Sequence, residues 1–274
     1  MPWRSARIVA PAADRDSVVT LLFDLGSLGV QEDADALITH FPEPFDDQRF
    51  ARLLRHASPT ATAELSATPD VDWSERWRDR LVAHDLGRLS IAPPWLAVGT
   101  DPARTVVIDP GMAFGTGEHP TTRGVIRLMS RLIRGGETVA DLGAGSAVLS
   151  IAAAKLGATR AVAIEIDPEA IANAEENVMR NGVADRVTVI EGDAAVILPL
   201  IAPVEVIVAN IISSAIVPLL PAMRSALALR GAAVVSGMLA AERADMTEVF
   251  EQDEWTIVAE DVEGEWWSAT ISPD

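Results

Sequence analysis

From residue 138 to the carboxyl end, short apolar runs alternate with helix-period segments almost without interruption, and this restricts the chain to very few folds. "TVADLG", "RAVAIEI", "RVTVIEG", "VEVIVANI" and "AAVVSGML" have strand length and are rich in valine, isoleucine and alanine. Helices are expected from Ser146 to Leu156, from Pro168 to Asn181 and over a long segment ending near Arg230. A strand reaches a parallel neighbour only through a crossover, so strands joined by helices form a parallel sheet covered on both faces. The last two runs, "WTIVAEDVE" and "EWWSATIS", leave no room for a helix and are expected to form an antiparallel hairpin at the sheet edge. The fold class expected is therefore α/β, with a doubly wound, mostly parallel, seven-stranded sheet.

The first part of the chain has a different rhythm. A strand "ARIVA" precedes a helical pattern of Val18, Leu21, Leu22 and Leu25, and "DALITHF" follows as a strand. Phe50, Leu53, Leu54 and Ala57 mark a second helix before the strand-like "TATAELSAT". This β-α-β-α-β order suggests a small ferredoxin-like α+β domain over residues 1–68. Pro69 and Asp70 end it. "DWSERWRDRL" then places Trp73 and Trp77 on one helical face, and "IAPPWL" is an extended Pro-rich junction. Residues 69–98 are accordingly expected to be a linker helix and junction, and residues 99–274 the domain built on the parallel sheet. A chain of 274 residues is long enough for two cores.

Charge and composition narrow the function. A formal net charge of −18 opposes close approach to nucleic-acid phosphates and favours a basic protein partner, so direct nucleic-acid binding is not expected. The absence of cysteine excludes disulfides and thiolate chemistry and suits a reducing compartment. Neither the continuous apolar core of a signal peptide nor a membrane-spanning stretch is present, so a cytoplasmic protein without membrane attachment is expected. His119 has no second histidine or carboxylate at metal-ligand spacing; no metal site is expected, and His119 reads as a residue that orders its loop.

Parallel sheets bind ligands beyond the carboxyl ends of their strands, beside the first strand of the winding. "DLGAGS" falls there: Asp141 closes the strand, while Gly143 and Gly145 permit positive φ and close backbone approach to a ligand. Val148 occupies the third glycine position of a dinucleotide loop, which disfavours pyrophosphate. Glu165 ends the second strand, placed to accept from both ribose hydroxyls of a nucleoside, and Asp193 ends the third, placed to accept from an adenine amino group. Acids at strand ends also cap helices, as expected of Asp167 before Pro168. Taken together with the glycines, they suit a cationic nucleoside without phosphates, and S-adenosylmethionine fits. "GMAFGTGEHPTTR", residues 111–123, lacks the Lys-Ser/Thr pair of a nucleoside-triphosphate loop.

The stretches "DWSERWRDRL", "DPGMAFGTGEHPTT", "DLGAGSAVLSIAAAKLG", "IEIDPEAIANAEENVMRNGV" and "VIVANI" cover most of residues 72–212 in order. In these the chain resembles the bacterial PrmA family, methyltransferases of ribosomal protein eleven of the large subunit. The resemblance implies a Rossmann-like S-adenosylmethionine-dependent domain whose "FGTGEHPTT" loop packs over the cofactor, bringing Phe114, Gly115, Thr116 and Thr122 to it. By motif position, Thr122, Gly143, Glu165 and Asn210 are implied cofactor contacts. The N-terminal domain is implied to recognise the protein substrate. Two positions depart from the pattern: Ala147 stands where a third glycine is common, and Glu118 where relatives are commonly uncharged.

Methyl transfer to nitrogen is an in-line displacement in which positioning dominates. A free lysine titrates near 10.4, so only about one in a thousand is neutral at pH 7.4, and desolvation must favour the neutral form. Asn210 ends the fourth strand, where its amide can aim the amine, and it is the expected catalytic residue. Its "NIIS" turn replaces the Asn-Pro-Pro-aromatic turn of many amine methyltransferases. Lysine side chains, N-terminal amines, or both are the expected acceptors. The motifs leave open another protein-lysine target, such as the electron-transfer flavoprotein beta subunit, and a non-catalytic S-adenosylmethionine-binding protein.

Overall fold

A computed structural model of the chain describes residues 3–27, 29–33, 36–68, 81–109, 115 and 117–274. The chain divides into two compact units, Met1–Arg80 and Leu81–Asp274.

The first unit runs β1 (Trp3–Val9), α1 (Arg15–Asp24), β2 (Val30–Asp33), β3 (Ala36–Pro42), α2 (Asp47–Ala57) and β4 (Thr62–Thr68). Its sheet has the order β2-β3-β1-β4, antiparallel throughout, which with the β-α-β-β-α-β succession is the ferredoxin-like arrangement. Ile8, Leu37 and Phe41 from the sheet meet Val18, Leu22, Phe50 and Leu54 from the helices in one core. Asp46 caps α2 by accepting from the Arg49 N–H at 2.9 Å. Strand β2, absent from the sequence reading, is the polar "VQED"; it lies at the sheet edge and is held by backbone pairing to β3, so no alternating apolar pattern announces it. Trp73 and Trp77 lie outside the described residues.

The second unit begins with β5 (His84–Asp85), β6 (Ser90–Ala92) and β7 (Thr105–Val107), a small sheet in that order, so residues read as junction supply two of its strands. There follow α3 (Pro120–Leu132), β8 (Thr138–Leu142), α4 (Val148–Leu156), β9 (Arg160–Glu165), α5 (Pro168–Arg180), β10 (Val187–Glu191), α6 (Ala194–Ile201) and β11 (Val204–Asn210). The chain ends with α7 (Ser213–Ile216), α8 (Leu220–Ala226), β12 (Leu227–Leu239), α9 (Arg243–Gln252), β13 (Trp255–Glu263) and β14 (Trp266–Pro273).

The seven-stranded sheet has the order β10-β9-β8-β11-β12-β14-β13. Pairs from β10 through β12 are parallel, and β14 pairs antiparallel with both β12 and β13, giving the expected edge hairpin. Alternate strand residues feed opposite cores. Val139, Ala161, Ala163, Val206 and Val208 pack with Val125, Met129 and Ile151, while Ala140, Leu142, Val162, Ile164 and Ile207 pack with Leu198, Met223 and Phe250. The winding direction reverses between β8 and β11, so a crevice opens beyond the carboxyl ends of those two strands.

The long helix expected to end near Arg230 is instead two short helices joined by a 3₁₀ turn, Val217–Leu219, and Arg230 lies within β12 with φ +68°. Pro218 and Pro221 have no N–H to give to a continuous ladder, which accounts for the interruption. Helix α4 starts at Val148 rather than Ser146 because Ala147, its N-cap, is left-handed at φ 62°, ψ 20°. Among the described residues, no helix is long and apolar enough to cross a membrane.

Candidate active site

Beyond the carboxyl ends of β8, β9 and β11 lies a cavity of about 800 Å³, with Gly143, Gly145, Glu165, Asp193, Asn210 and Trp266 on its wall. The turn after β8 is built from backbone. Gly143 and Ala144 both donate their N–H to the Ile164 carbonyl, at 2.9 and 3.0 Å, which ties the turn to β9. Gly143 has φ +70°, and a Cβ there would approach Ile211 Cγ2 to 2.6 Å, so glycine is required by both conformation and space. Ser146 Oγ then donates to the Gly115 carbonyl at 2.8 Å, bringing that glycine to the cavity wall.

Glu165 is 8 % exposed. Its Oε2 accepts from the Gly145 N–H at 2.7 Å, and Oε1 accepts from the N–H groups of Ile166 and Asp167 at 2.8 and 2.9 Å. Three of the roughly four acceptor positions of a carboxylate are thus used, leaving about one, on Oε2, for a ligand hydroxyl. Asp193 lines the cavity while its Oδ1 caps α6 through the Ala195 N–H at 2.8 Å, so one carboxylate serves both the helix and the wall. Asp167 caps α5 in the same manner, through the Glu169 N–H at 2.9 Å.

Asn210 ends β11 and is half-buried on the wall. Its Nδ2 donates to Thr122 Oγ1 at 3.3 Å, while its buried Oδ1 has no hydrogen-bond partner among the described residues. A buried carbonyl oxygen left without a donor is costly. Asn210 as a residue contributes to the cavity wall.

Comparison with known proteins shows the family to which the chain belongs. The family described as "Ribosomal protein L11 methyltransferase (PrmA)" matches residues 2–272. The chain belongs to this family. Methyltransferases of the same description from Mannheimia succiniciproducens and Alteromonas mediterranea are 36 % and 38 % identical, over 80 % and 76 % of this chain and 78 % and 70 % of their own lengths. The crystal structure of a ribosomal protein L11 methylase from Lactobacillus delbrueckii subsp. bulgaricus is 30 % identical with a TM-score of 0.62, covering 70 % of this chain and 99 % of that one.

In this methyltransferase, two residues expected at the cofactor stand behind the wall rather than on it. Thr122 is fully buried and, among the described residues, is hydrogen-bonded to the wall residue Asn210. Asp141 is also fully buried: its Oδ2 accepts from the Ser150 N–H at 3.0 Å and from Ser150 Oγ–H at 2.8 Å, while Oδ1 has no partner among the described residues. Burial pushes its carboxyl up to about 7, and the nearby Glu165 charge adds to the rise. Phe114 and Thr116 lie outside the described residues.

His119 is the N-cap of α3, with Nδ1 2.7 Å from Thr121 Oγ1 and its ring edge-on to Trp266 at 4.6 Å between centroids. Burial, with help from the Arg123 charge, lowers its affinity for a proton. Glu118 turns away to pair with His84 at 3.1 Å and does not contribute to the wall. Ala147 packs in the core rather than against the cavity, so its methyl group does not narrow it.

Trp266 and Gly237 are wall residues that sequence reasoning missed. Gly237 has φ +91°, and a Cβ there would collide with the Ile211 carbonyl; an isolated glycine inside the strand run "AAVVSGML" was the available signal. Trp266 had none, because its position depends on β14 inserting between β12 and β13, where it pairs with Leu239 and Glu263.

Proposed function

We propose that this chain binds S-adenosylmethionine in the cavity at the β8/β11 switch point and methylates lysine or N-terminal amines of ribosomal protein L11, the substrate named for its relatives. The observation that carries the reading is Asn210, whose buried Oδ1 has no hydrogen-bond partner among the described residues, on the wall of a glycine-cradled cavity. The residues present fit the cofactor: Gly143 and Gly145 allow close backbone approach, Glu165 Oε2 keeps an acceptor position for a ribose hydroxyl, and Asp193 stands where an adenine amino group is expected. When bound, S-adenosylmethionine supplies an electrophilic methyl group on a positively charged sulfur.

The chain's own part is to position the amine and to disfavour its charged form. Ile211, Ile212, Leu219 and Trp266 give the cavity a largely apolar wall, which lowers the affinity of an incoming ammonium for its extra proton. That proton leaves to water, since the amide of Asn210 has no useful basicity. Asn210 Oδ1 then accepts one remaining N–H, and the lone pair is aimed by the bond that Thr122 makes to Nδ2. The N-terminal domain is assigned to recognition of the basic substrate protein, consistent with the acidic balance of the chain, and the cytoplasm, where ribosomal proteins are made, is the assigned location.

Incubating the chain with methyl-labelled S-adenosylmethionine and ribosomal protein L11 tests this. Label is expected on amines of that protein. Asn210→Ala is expected to lower kcat about 100-fold or more. Label appearing only on a different protein of a cell extract, such as the electron-transfer flavoprotein beta subunit, would refute the substrate assignment.

A further inference from the structure

Helix α5 carries a fully buried polar side chain that the reaction does not use. Asn177, in "IANAEENVMRNGV", is 0 % exposed. Its Nδ2 donates to the Ser146 carbonyl at 3.3 Å and to Asn173 Oδ1 at 3.3 Å. Its Oδ1 accepts from the Asp109 N–H at 3.2 Å and from Arg180 at 3.2 Å. Arg180 also pairs with the Asp109 carboxylate at 3.2 Å.

One of these bonds reaches Ser146, the last residue of the glycine turn. Ser146 Oγ holds the Gly115 carbonyl at 2.8 Å, while its own carbonyl is held by Asn177, whose other end holds Asp109. Asp109 and Gly115, on either side of the segment 110–114, are thus tied to one residue of the cavity turn. The turn needs such a brace. Gly143, Gly145 and Ala147 all have positive φ, at 70°, 52° and 62°, so its backbone has little intrinsic preference for this shape, and Ala147 is strained in it.

We infer that Asn177 is a positioning residue for the cofactor, bracing the Gly143–Ser146 turn from behind so that the turn is preorganised for the ligand. This rests on the cofactor reading proposed above. Asn177 touches the turn only at the Ser146 carbonyl and acts through it. Asn181, one helical turn on, is the natural control: it grips the Val107 N–H and carbonyl at 2.8 and 2.7 Å and does not bond the turn.

The test is calorimetric titration of the full chain with S-adenosylhomocysteine, with thermal midpoints recorded alongside. Asn177→Ala is expected to weaken binding about tenfold, equivalent to ~1.4 kcal/mol. Asn177→Asp keeps the shape and the acceptor for Asp109 but sets a carboxylate against the Ser146 carbonyl; it is expected to weaken binding by at least as much, and it supplies the answer if the alanine variant fails to fold. Asn181→Ala is expected to lower the thermal midpoint yet leave affinity within about twofold. In turnover, the Asn177 variants should raise KM for S-adenosylmethionine while KM for the protein substrate stays put. Affinity unchanged in both Asn177 variants, or lost equally in Asn181→Ala, would overturn the inference alone. A folded wild-type chain that takes up no S-adenosylhomocysteine would overturn the proposed function together with it.

Discussion

Among the described residues Asp141 is held on one side only, by Ser150, at a depth where an ionised carboxylate is disfavoured. Its folded value, about 7, lies above the ordinary carboxylate value near 3.9, so between those two pH values the folded chain retains a proton that the unfolded chain has released. The contribution to stability is complete below the lower value and is lost as pH rises towards the upper one. Urea midpoints should therefore fall more between pH 5 and pH 8 in the wild type than in Asp141→Asn, which cannot ionise but still offers Ser150 an acceptor. Equal falls in the two proteins would remove Asp141 as the cause. At this scale the sequence was informative about residue type and less so about role. The "DLGAGS" spacing located the turn, yet Asp141 and Thr122 prove to stand behind the cavity wall. Asn177 was invisible as a brace because its partners lie 31 and 68 positions away.

Helix α3 holds Thr122 in its first turn with His119 as its N-cap, and salt bridges join it to the edge hairpin. Arg127 Nε donates to Asp261 Oδ2 at 2.8 Å and its Nη2 reaches Glu263 Oε2 at 2.8 Å; Arg123 also pairs with Glu263. Asp261 is 15 % exposed at its side chain, so removing Arg127 strands a largely buried carboxylate. Arg127→Ala is expected to cost about 1–3 kcal/mol, read from urea unfolding, because the forked contact is lost and its acceptor is left unpaired. Arg127→Lys should recover only part of this, since an ammonium cannot span both carboxylates as the fork does. A loss below about 0.5 kcal/mol in the alanine variant would show these to be ordinary surface pairs. The strands of the parallel sheet were legible because burial on both faces demands continuous apolar runs. Strand β2 was not, being polar and at an edge, and the broken helix before β12 was misread because its apolar spacing outweighed two prolines.

Across the whole molecule, the order of the seven strands puts the glycine turn of β8 beside Asn210 of β11, and this juxtaposition, more than any single residue, creates the cavity. All residues described on its wall belong to the unit Leu81–Asp274. Cofactor binding is therefore proposed for that unit, while the resemblance implies that the N-terminal one recognises the protein substrate. Calorimetry with S-adenosylhomocysteine on the full chain and on residues 81–274 examines the assignment directly. Both are expected to bind one equivalent with dissociation constants within about threefold, while only the full chain methylates the intact protein substrate. No binding heat from the folded full chain at millimolar ligand would contradict the claim that the β8/β11 crevice is a cofactor site.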